Sequence, residues 1–297
     1  MRLGTRRSAL ALAQAELVAE MLGGAEIVPL VTGGDAGAGP QDKSRWVDEL
    51  ERALRDGRVD LAVHSAKDLP TELAPGLELL GAPARAGPED ALCGCADIEA
   101  LAPGSRVGTS SLRRIDQLRS ARADVEVVPL RGNVDTRLAK LGSEQLDAIV
   151  LARAGLQRLG REAEAGALLD PSRFVPAPGQ GALALEGRAG DAAAGEAAAA
   201  ITDRATLATL LAERALAREL GADCHTPLGA HARVDGDGGL RLRGWVGLPD
   251  GSAWAGDEQE GEVTRPEELG AGVAARLRAV GAAELLRSAR EMAGDGS

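Results

Sequence analysis

The chain has 297 residues, 44% of them hydrophobic, enough to bury a sizeable core and to divide into two or three domains. Its 45 acidic residues outnumber its 34 basic ones for a formal charge of −11, and aromatics are confined to three Trp and one Phe. That balance argues against a nucleic-acid binder, which needs basic surface and stacking rings, and no apolar run is long enough to span a bilayer.

In chain order, Leu3 to Thr5 reads as a short strand and Ser8 as the N-cap of a helix to about Leu22. Gln14, Glu16 and Glu20 make that helix amphipathic, so the charged start Arg2 to Arg7 is not expected to open a signal peptide. Glu26 to Val31 reads as a strand, Trp46 to Arg55 as a helix, and Val59 to His64 and Leu77 to Ala82 as strands. The pattern then restarts: strand 105–109, helix 111–121, strand 125–130, helix 133–141, strand 147–151, helix 153–159. This alternation predicts an α/β fold of parallel sheets with helices on both faces. Past Pro176-Ala177-Pro178-Gly179-Gln180-Gly181 come a strand, Ala182 to Leu185, and a Gly/Ala-rich connection, Gly187 to Gly195. A helix over about 203–220, alternating segments near 228–234, 240–247 and 252–262, and helices over 266–279 and 282–292 predict a small C-terminal α+β domain.

Two stretches run from a short strand through a polar turn into a helix with arginines near its start. They are Gly108-Thr109-Ser110-Ser111-Leu112-Arg113-Arg114 and Leu130-Arg131-Gly132-Asn133-Val134-Asp135-Thr136-Arg137. Unpaired N–H groups and a positive dipole end make a helix start an anion site, and arginine adds a fork that fits a carboxylate. Residues 104–158 hold ten basic and six acidic side chains, a local +4 inside a chain of −11, so a small anion is the expected ligand. Arg6 and Arg7 also precede a helix.

His64-Ser65-Ala66-Lys67-Asp68-Leu69-Pro70 follows a buried strand, at the end where open α/β sheets bind ligands. Asp68 there could stabilise a developing cation, although the residues alone read more simply as a solvated turn. Cys224, in Gly221-Ala222-Asp223-Cys224-His225, is a nucleophile, an attachment point or, more simply, an inert thiol. Cys93 and Cys95 form no CxxC pair and read as structural; the odd total of three cysteines predicts a reducing cytoplasm. No P-loop, Rossmann fingerprint or metal-ligand cluster is present, so neither a nucleotide cofactor nor a metal is expected.

Taken in order, these segments resemble the porphobilinogen deaminase (hydroxymethylbilane synthase) family. The resemblance rests on Gly4-Thr5-Arg6-Arg7-Ser8 with Leu10-Ala11-Leu12, on His64 to Pro70, and on the two arginine motifs. It continues through Asp147-Ala148-Ile149-Val150-Leu151-Ala152, Ala154-Gly155-Leu156 and Pro178-Gly179-Gln180-Gly181-Ala182. It implies two periplasmic-binding-protein-like parallel-sheet domains, 1–84 with 181–200 and 88–176, and a third, 204–297, carrying a cysteine loop. It further implies a cytoplasmic, monomeric transferase of tetrapyrrole and haem biosynthesis, with no nucleic-acid or membrane partner. Four porphobilinogen molecules are deaminated and joined head to tail on a dipyrromethane primer, held by a thioether that falls on Cys224, and water releases hydroxymethylbilane. Asp68 matches the catalytic aspartate. Cofactor and substrate contacts fall on Arg6, Ser8, Lys43, Ser65, Lys67, Thr109, Ser110, Ser111, Arg113, Arg114, Arg131, Gly132, Asn133, Arg137, Arg158 and Gln180.

The chain departs from the family pattern where Ala222-Asp223 replaces two glycines. A left-handed backbone at the first would strain alanine, and Asp223 sets a negative charge beside an anionic cofactor. The segment after Val31 is short, with Thr32-Gly33-Gly34-Asp35 in place of Thr-Arg-Gly-Asp, and Trp46 stands where the family has phenylalanine. Two alternatives stay open: a non-catalytic binding module for a small dicarboxylate, and a degenerate deaminase unable to load its cofactor.

Overall fold

The computed structural model describes residues 1–31, 44–222, 226–236 and 238–294. Strand β1 (Arg2–Arg6) leads into helix α1 (Ala9–Met21), capped by Ser8, whose hydroxyl accepts from the Ala11 amide. There follow β2 (Glu26–Leu30), α2 (Ser44–Arg55), β3 (Leu61–Ser65), a 3-10 turn over Ala66–Asp68, and β4 (Leu77–Gly81). The chain then lays down β5 (Asp90–Cys93), β6 (Arg106–Gly108), α3 (Leu112–Ala121), β7 (Glu126–Val128), α4 (Val134–Ser143), β8 (Ala148–Ala152), α5 (Arg153–Arg158) and β9 (Ala165–Leu169). It returns as β10 (Leu183–Arg188) and α6 (Ala192–Ile201).

Two five-stranded sheets result, ordered β2-β1-β3-β10-β4 and β7-β6-β8-β5-β9. In each, three strands joined through helices pair in parallel, and a fourth lies antiparallel between its neighbours. That strand is β10 in the first sheet and β5 in the second, each laid down just after the chain crosses from the other sheet. The sheets are thus parallel-rich, as expected, with one antiparallel strand each: a strand arriving without a helical crossover of its own is free to enter antiparallel.

Three elements were not legible. β5 has four residues and opens on a charge, and β9 is a half-exposed strand containing a glycine. The Ala-rich stretch read as a connection becomes the end of β10 and then α6, because alanine favours helix and Asp191 caps it through the Ala194 amide.

The remainder is α7 (Arg204–Glu219), an antiparallel meander of β11 (Leu228–Val234), β12 (Gly239–Gly247) and β13 (Trp254–Glu262), then α8 (Pro266–Ala279) and α9 (Ala282–Gly294). These match the expected C-terminal α+β elements closely. With so few rings the cores are aliphatic: Leu3, Val63 and Leu185 in the first sheet, Leu92, Val107 and Leu118 in the second, and Leu216, Leu242 and Leu277 in the third. Each buried leucine contributes about 1.5–3 kcal/mol.

One carboxylate ties the parts together. Glu213 of α7, with no exposed surface, accepts from Arg85 Nη1 (2.7 Å) and Nη2 (3.1 Å) on the first crossover. It also accepts from the Gly179 amide (2.6 Å) on the second crossover and the Ala232 amide (2.7 Å) on β11. No described helix is long and apolar enough to cross a membrane.

Candidate active site

The loops that carry Arg6, Asp68 and the two arginine motifs leave the C-terminal ends of the parallel strands β1, β3, β6 and β7, which is where α/β sheets present ligand-binding groups. β3 ends at Ser65 and turns through Ala66–Asp68; buried Ala66 and Leu69 anchor the turn and leave Lys67 and Asp68 half-buried. The second crossover packs onto this turn. A Cβ at Gly179 (φ +73°) would lie 2.9 Å from the Ala66 carbonyl carbon, and one at Gly181 (φ +89°) 2.5 Å from the Ala86 oxygen. Only glycine fits both positions, which is the physical content of the Gly179-Gln180-Gly181 motif.

In the second unit, β6 ends at Gly108. The Ser110 hydroxyl both donates to the Leu130 carbonyl (3.0 Å) and accepts from the Leu130 amide (2.9 Å), fastening the two arginine turns to each other. Thr109 is buried, and its hydroxyl accepts from the Ser111 amide at 3.3 Å. Ser111 occupies the N-cap of α3 without a side-chain cap bond, as Ser65 does at its own turn. Asn133 caps α4 through the Thr136 amide (2.8 Å), and the Gly132 carbonyl accepts from Arg137 Nε (2.8 Å). Arg131 is exposed.

Arg113 and Arg114, expected as anion partners at the start of α3, are buried. They are 4% and 6% exposed and share Asp90, which has no exposed surface. Arg113 Nη1 donates to Asp90 Oδ2 (2.7 Å) and the Val175 carbonyl (2.9 Å). Arg114 donates to Asp90 Oδ1 through Nε (3.0 Å) and Nη2 (2.7 Å), and to the Val150 carbonyl through Nη1 (2.8 Å). The Nε of Arg113 is buried with no hydrogen-bond partner among the described residues. Gln180 is corrected: it is fully buried, and its Nε2 donates to the Pro88 carbonyl (2.7 Å) and Asp90 Oδ1 (2.9 Å), so it presents nothing to a cleft.

Electrostatics join these groups across the two sheets. Burial raises the Asp90 carboxyl, but the charges of Arg113 and Arg114 and the bonds they and Gln180 donate outweigh it, holding the group well below the usual carboxylate range. Burial lowers the pKa of Arg137, with Arg114's like charge adding to it and the Asp68 carboxylate opposing it, so Arg137 lies within the field of both. Arg158 is lowered to about 10 by burial, and its Nη2 donates to the Gly181 carbonyl at 2.6 Å. A bound carboxylate would relieve this crowded, desolvated positive charge.

Arg6 ends β1 and Ser8 caps α1 at the same strand ends of the first sheet as the Asp68 turn. Lys43 and Cys224 lie outside the described residues. Ala222 is described, and the strain anticipated there does not arise. Gly221 takes the left-handed position (φ +61°), while the Ala222 amide donates to the Ala217 carbonyl (2.9 Å), closing α7 in a Schellman turn. Among the described residues no group of three His, Cys, Asp or Glu side chains is placed to hold a metal.

Asp90, Arg85 and Glu213 went unrecognised in the sequence. Glu213 alone had a readable signal, a charge midway between Leu210 and Leu216 on the apolar stripe of α7. His64 and Glu186 were missed as a buried pair; Nε2 lies 2.9 Å from Oε2 behind the Asp68 turn.

Comparisons with known proteins show what the chain is similar to. The family profile described as porphobilinogen deaminase, dipyromethane cofactor binding domain, matches residues 1–196, and that of the porphobilinogen deaminase C-terminal domain matches residues 207–279. The porphobilinogen deaminase of Thermus thermophilus is 46% identical over 295 residues, covering 97% of this chain and 98% of the relative. That of Deinococcus radiodurans is 45% identical over 304 residues, with 97% and 98% covered. Among solved structures, the methionine binding protein MetQ aligns with 68% of this chain and 89% of its own at 13% identity and a TM-score of 0.43. On the two profiles and these near-full-length relatives, the chain belongs to the porphobilinogen deaminase family.

Proposed function

We propose that the chain is a hydroxymethylbilane synthase. It deaminates and joins four porphobilinogen molecules head to tail on a dipyrromethane primer attached at Cys224, then releases hydroxymethylbilane by hydrolysis. The observation that carries this reading is the placement of the Asp68 turn at the end of β3 and of the two arginine turns at the ends of β6 and β7, in a chain that matches the porphobilinogen deaminase profiles over most of its length. The residues fit the cofactor. Its acetate and propionate groups need cationic forks, and the buried Nε of Arg113, with no hydrogen-bond partner among the described residues, is a donor in want of such an acceptor. When bound, the primer supplies a covalently held pyrrole whose free α-carbon is the nucleophile.

In this reading the protein binds, orients and stabilises charge. Arg6, Lys43, Arg113, Arg114, Arg131, Arg137 and Arg158 hold the paired carboxylates of successive rings, with Ser8, Thr109, Gly132 and Asn133 shaping the helix starts that receive them. Ser65, Lys67, Ser110 and Ser111 orient the rings. Each addition exchanges an aminomethyl C–N bond for a C–C bond; the nitrogen leaves as ammonia and the displaced α-hydrogen as a proton. Asp68, against pyrrole N–H groups, stabilises the positive charge that develops on the incoming ring as ammonia departs. The same reading has three domains, 1–84 with 181–200, 88–176 and 204–297, in a cytoplasmic monomer without nucleic-acid or membrane partners.

The test is intact mass of the protein from porphobilinogen-producing cells, beside Cys224→Ser, with ammonia release and tetrapyrrole formation assayed on the same material. We expect added cofactor mass on the wild type and none on the variant, and Asp68→Asn loaded but turning over very slowly. An unmodified wild-type protein would overturn the attachment at Cys224. No ammonia and no tetrapyrrole would leave a binding module, and undiminished turnover in Asp68→Asn would remove that carboxylate from the mechanism.

A further inference from the structure

Gln180 lies on the second crossover with no exposed surface, and its amide is oriented in one sense only. Nε2 faces two acceptors, the Pro88 carbonyl (2.7 Å) and Asp90 Oδ1 (2.9 Å), while Oε1 accepts from Lys67 Nζ at 3.4 Å. Asp90 in turn carries Arg113 and Arg114. The outcome is an unbroken polar chain from the arginine pair through Asp90 and Gln180 to Lys67, the neighbour of Asp68. It starts in the second sheet's unit, passes through the crossover and ends on the catalytic turn of the first. Every link but Lys67 is buried, where a lost partner leaves a costly orphan.

We infer that Gln180, acting through Asp90, is a positioning residue that sets the Asp68 turn in register with the carboxylate-binding arginines and does not itself touch ligand. The inference rests on the function proposed above. Asp90 supplies one negative charge to two guanidiniums, so the pair stays cationic toward a ligand while its forks are held in one orientation. The Gln180 amide hands that orientation on, because turning it over would set nitrogen against a cation and oxygen against two acceptors.

The test uses the full-length, cofactor-loaded protein as Gln180→Glu and Gln180→Met. In Gln180→Glu a neutral carboxyl can still donate one bond to Asp90, whereas an ionised one repels Asp90 and the Pro88 carbonyl and draws Lys67 away. The charged groups around the position are Asp90 with Arg113 and Arg114, Lys67, and Arg85, whose Nε donates to the Gln180 carbonyl (2.9 Å) and whose charge is matched by Glu213. Burial and the Asp90 charge raise the pKa of the introduced acid, while Lys67, Arg85 and the Arg113–Arg114 pair lower it; whichever side prevails, its effect is absent below that pKa and grows as pH rises through it.

We expect wild-type cofactor occupancy by intact mass and a KM for porphobilinogen within about twofold of wild type. We expect kcat of Gln180→Glu to fall about ten- to hundredfold along an alkaline limb that the wild type lacks. Gln180→Met should show a similar loss at every pH. A wild-type kcat and pH profile in both variants, or a raised KM with kcat unchanged, would overturn the inference, the latter making Gln180 a ligand contact. A double-mutant cycle of Gln180→Met with Lys67→Met, read on urea stability, judges the chain without reference to activity, and strict additivity would break it. Should Gln180→Met fail to fold, Gln180→Glu alone decides: a kcat loss that grows with pH at unchanged KM supports the chain, and a wild-type kcat at every pH breaks it. A wild type that carries no cofactor and releases no ammonia would instead overturn the proposed function, leaving the cycle to decide the chain.

Discussion

Asp116 gives a sharp test of the packing between the second and third sheets. It lies on α3 with no exposed surface, where Trp245 Nε1 donates to Oδ2 (2.5 Å) and the Ser120 hydroxyl donates to Oδ1 (3.4 Å). Burial pushes its carboxyl from 3.8 up to about 7, against the lowering effect of those bonds and of Arg113's charge. A folded-state pKa above the unfolded one means that the folded chain holds the proton more tightly. The resulting stability is fully present below about pH 4, is lost as pH rises toward about 7, and is gone above that. The span corresponds to about 4 kcal/mol, against a net stability of about 5–15 kcal/mol for a typical domain. Asp116→Asn keeps the shape and an oxygen for Trp245 but cannot ionise. The variant should therefore nearly match the wild type at about pH 4 and exceed it by up to about 4 kcal/mol at pH 8. Urea unfolding followed by tryptophan fluorescence across this range measures the gap, and other titrating groups cancel in the difference. A gap that does not change with pH, or a wild type more stable at pH 8, would refute the reasoning.

Two further outcomes follow from the crossovers. Arg85→Ala removes the bonds to Gln180 O (2.9 Å) and to both Glu213 oxygens, leaving a buried carboxylate with only two backbone N–H donors. The expected loss is about 3–5 kcal/mol by calorimetry; a loss under about 1 kcal/mol would mean that water reaches Glu213. Gly179→Ala places a methyl 2.9 Å from the Ala66 backbone at φ +73°, so the Asp68 turn must shift. Turnover should drop about ten- to hundredfold in a folded protein, and unchanged turnover would show that the turn tolerates displacement.

Local chemistry carried much of the fold. Ser8 and Asn133 were readable as helix starts because a cap is a contact within four residues, and the side-chain oxygen of each accepts from a backbone amide of the expected first turn. Strand and helix alternation located most of the two α/β units and nearly all of the C-terminal one. β5 and β9 escaped because a short strand covered on both sides, or half-exposed at an edge, has no periodicity of its own. α6 escaped because an alanine run reads equally as linker or helix until Asp191 is seen to cap it.

The expectation of an anion ligand also came from the sequence, since helix starts and arginines are local features. How that charge is held did not. Asp90, Gln180 and Lys67 lie far apart along the chain, and only the two crossovers bring them into one chain of hydrogen bonds. Glu213 likewise acquires Arg85, Gly179 and Ala232 as partners only once three separate segments have packed. Sequence by itself determined most of the elements and gave the expectation of a small anion as ligand, because caps, periodicity and charge act over a few residues. Tertiary structure alone decided which arginines are buried, what they are paired with and how they are tied to Lys67, because desolvation and pairing depend on neighbours remote in the chain.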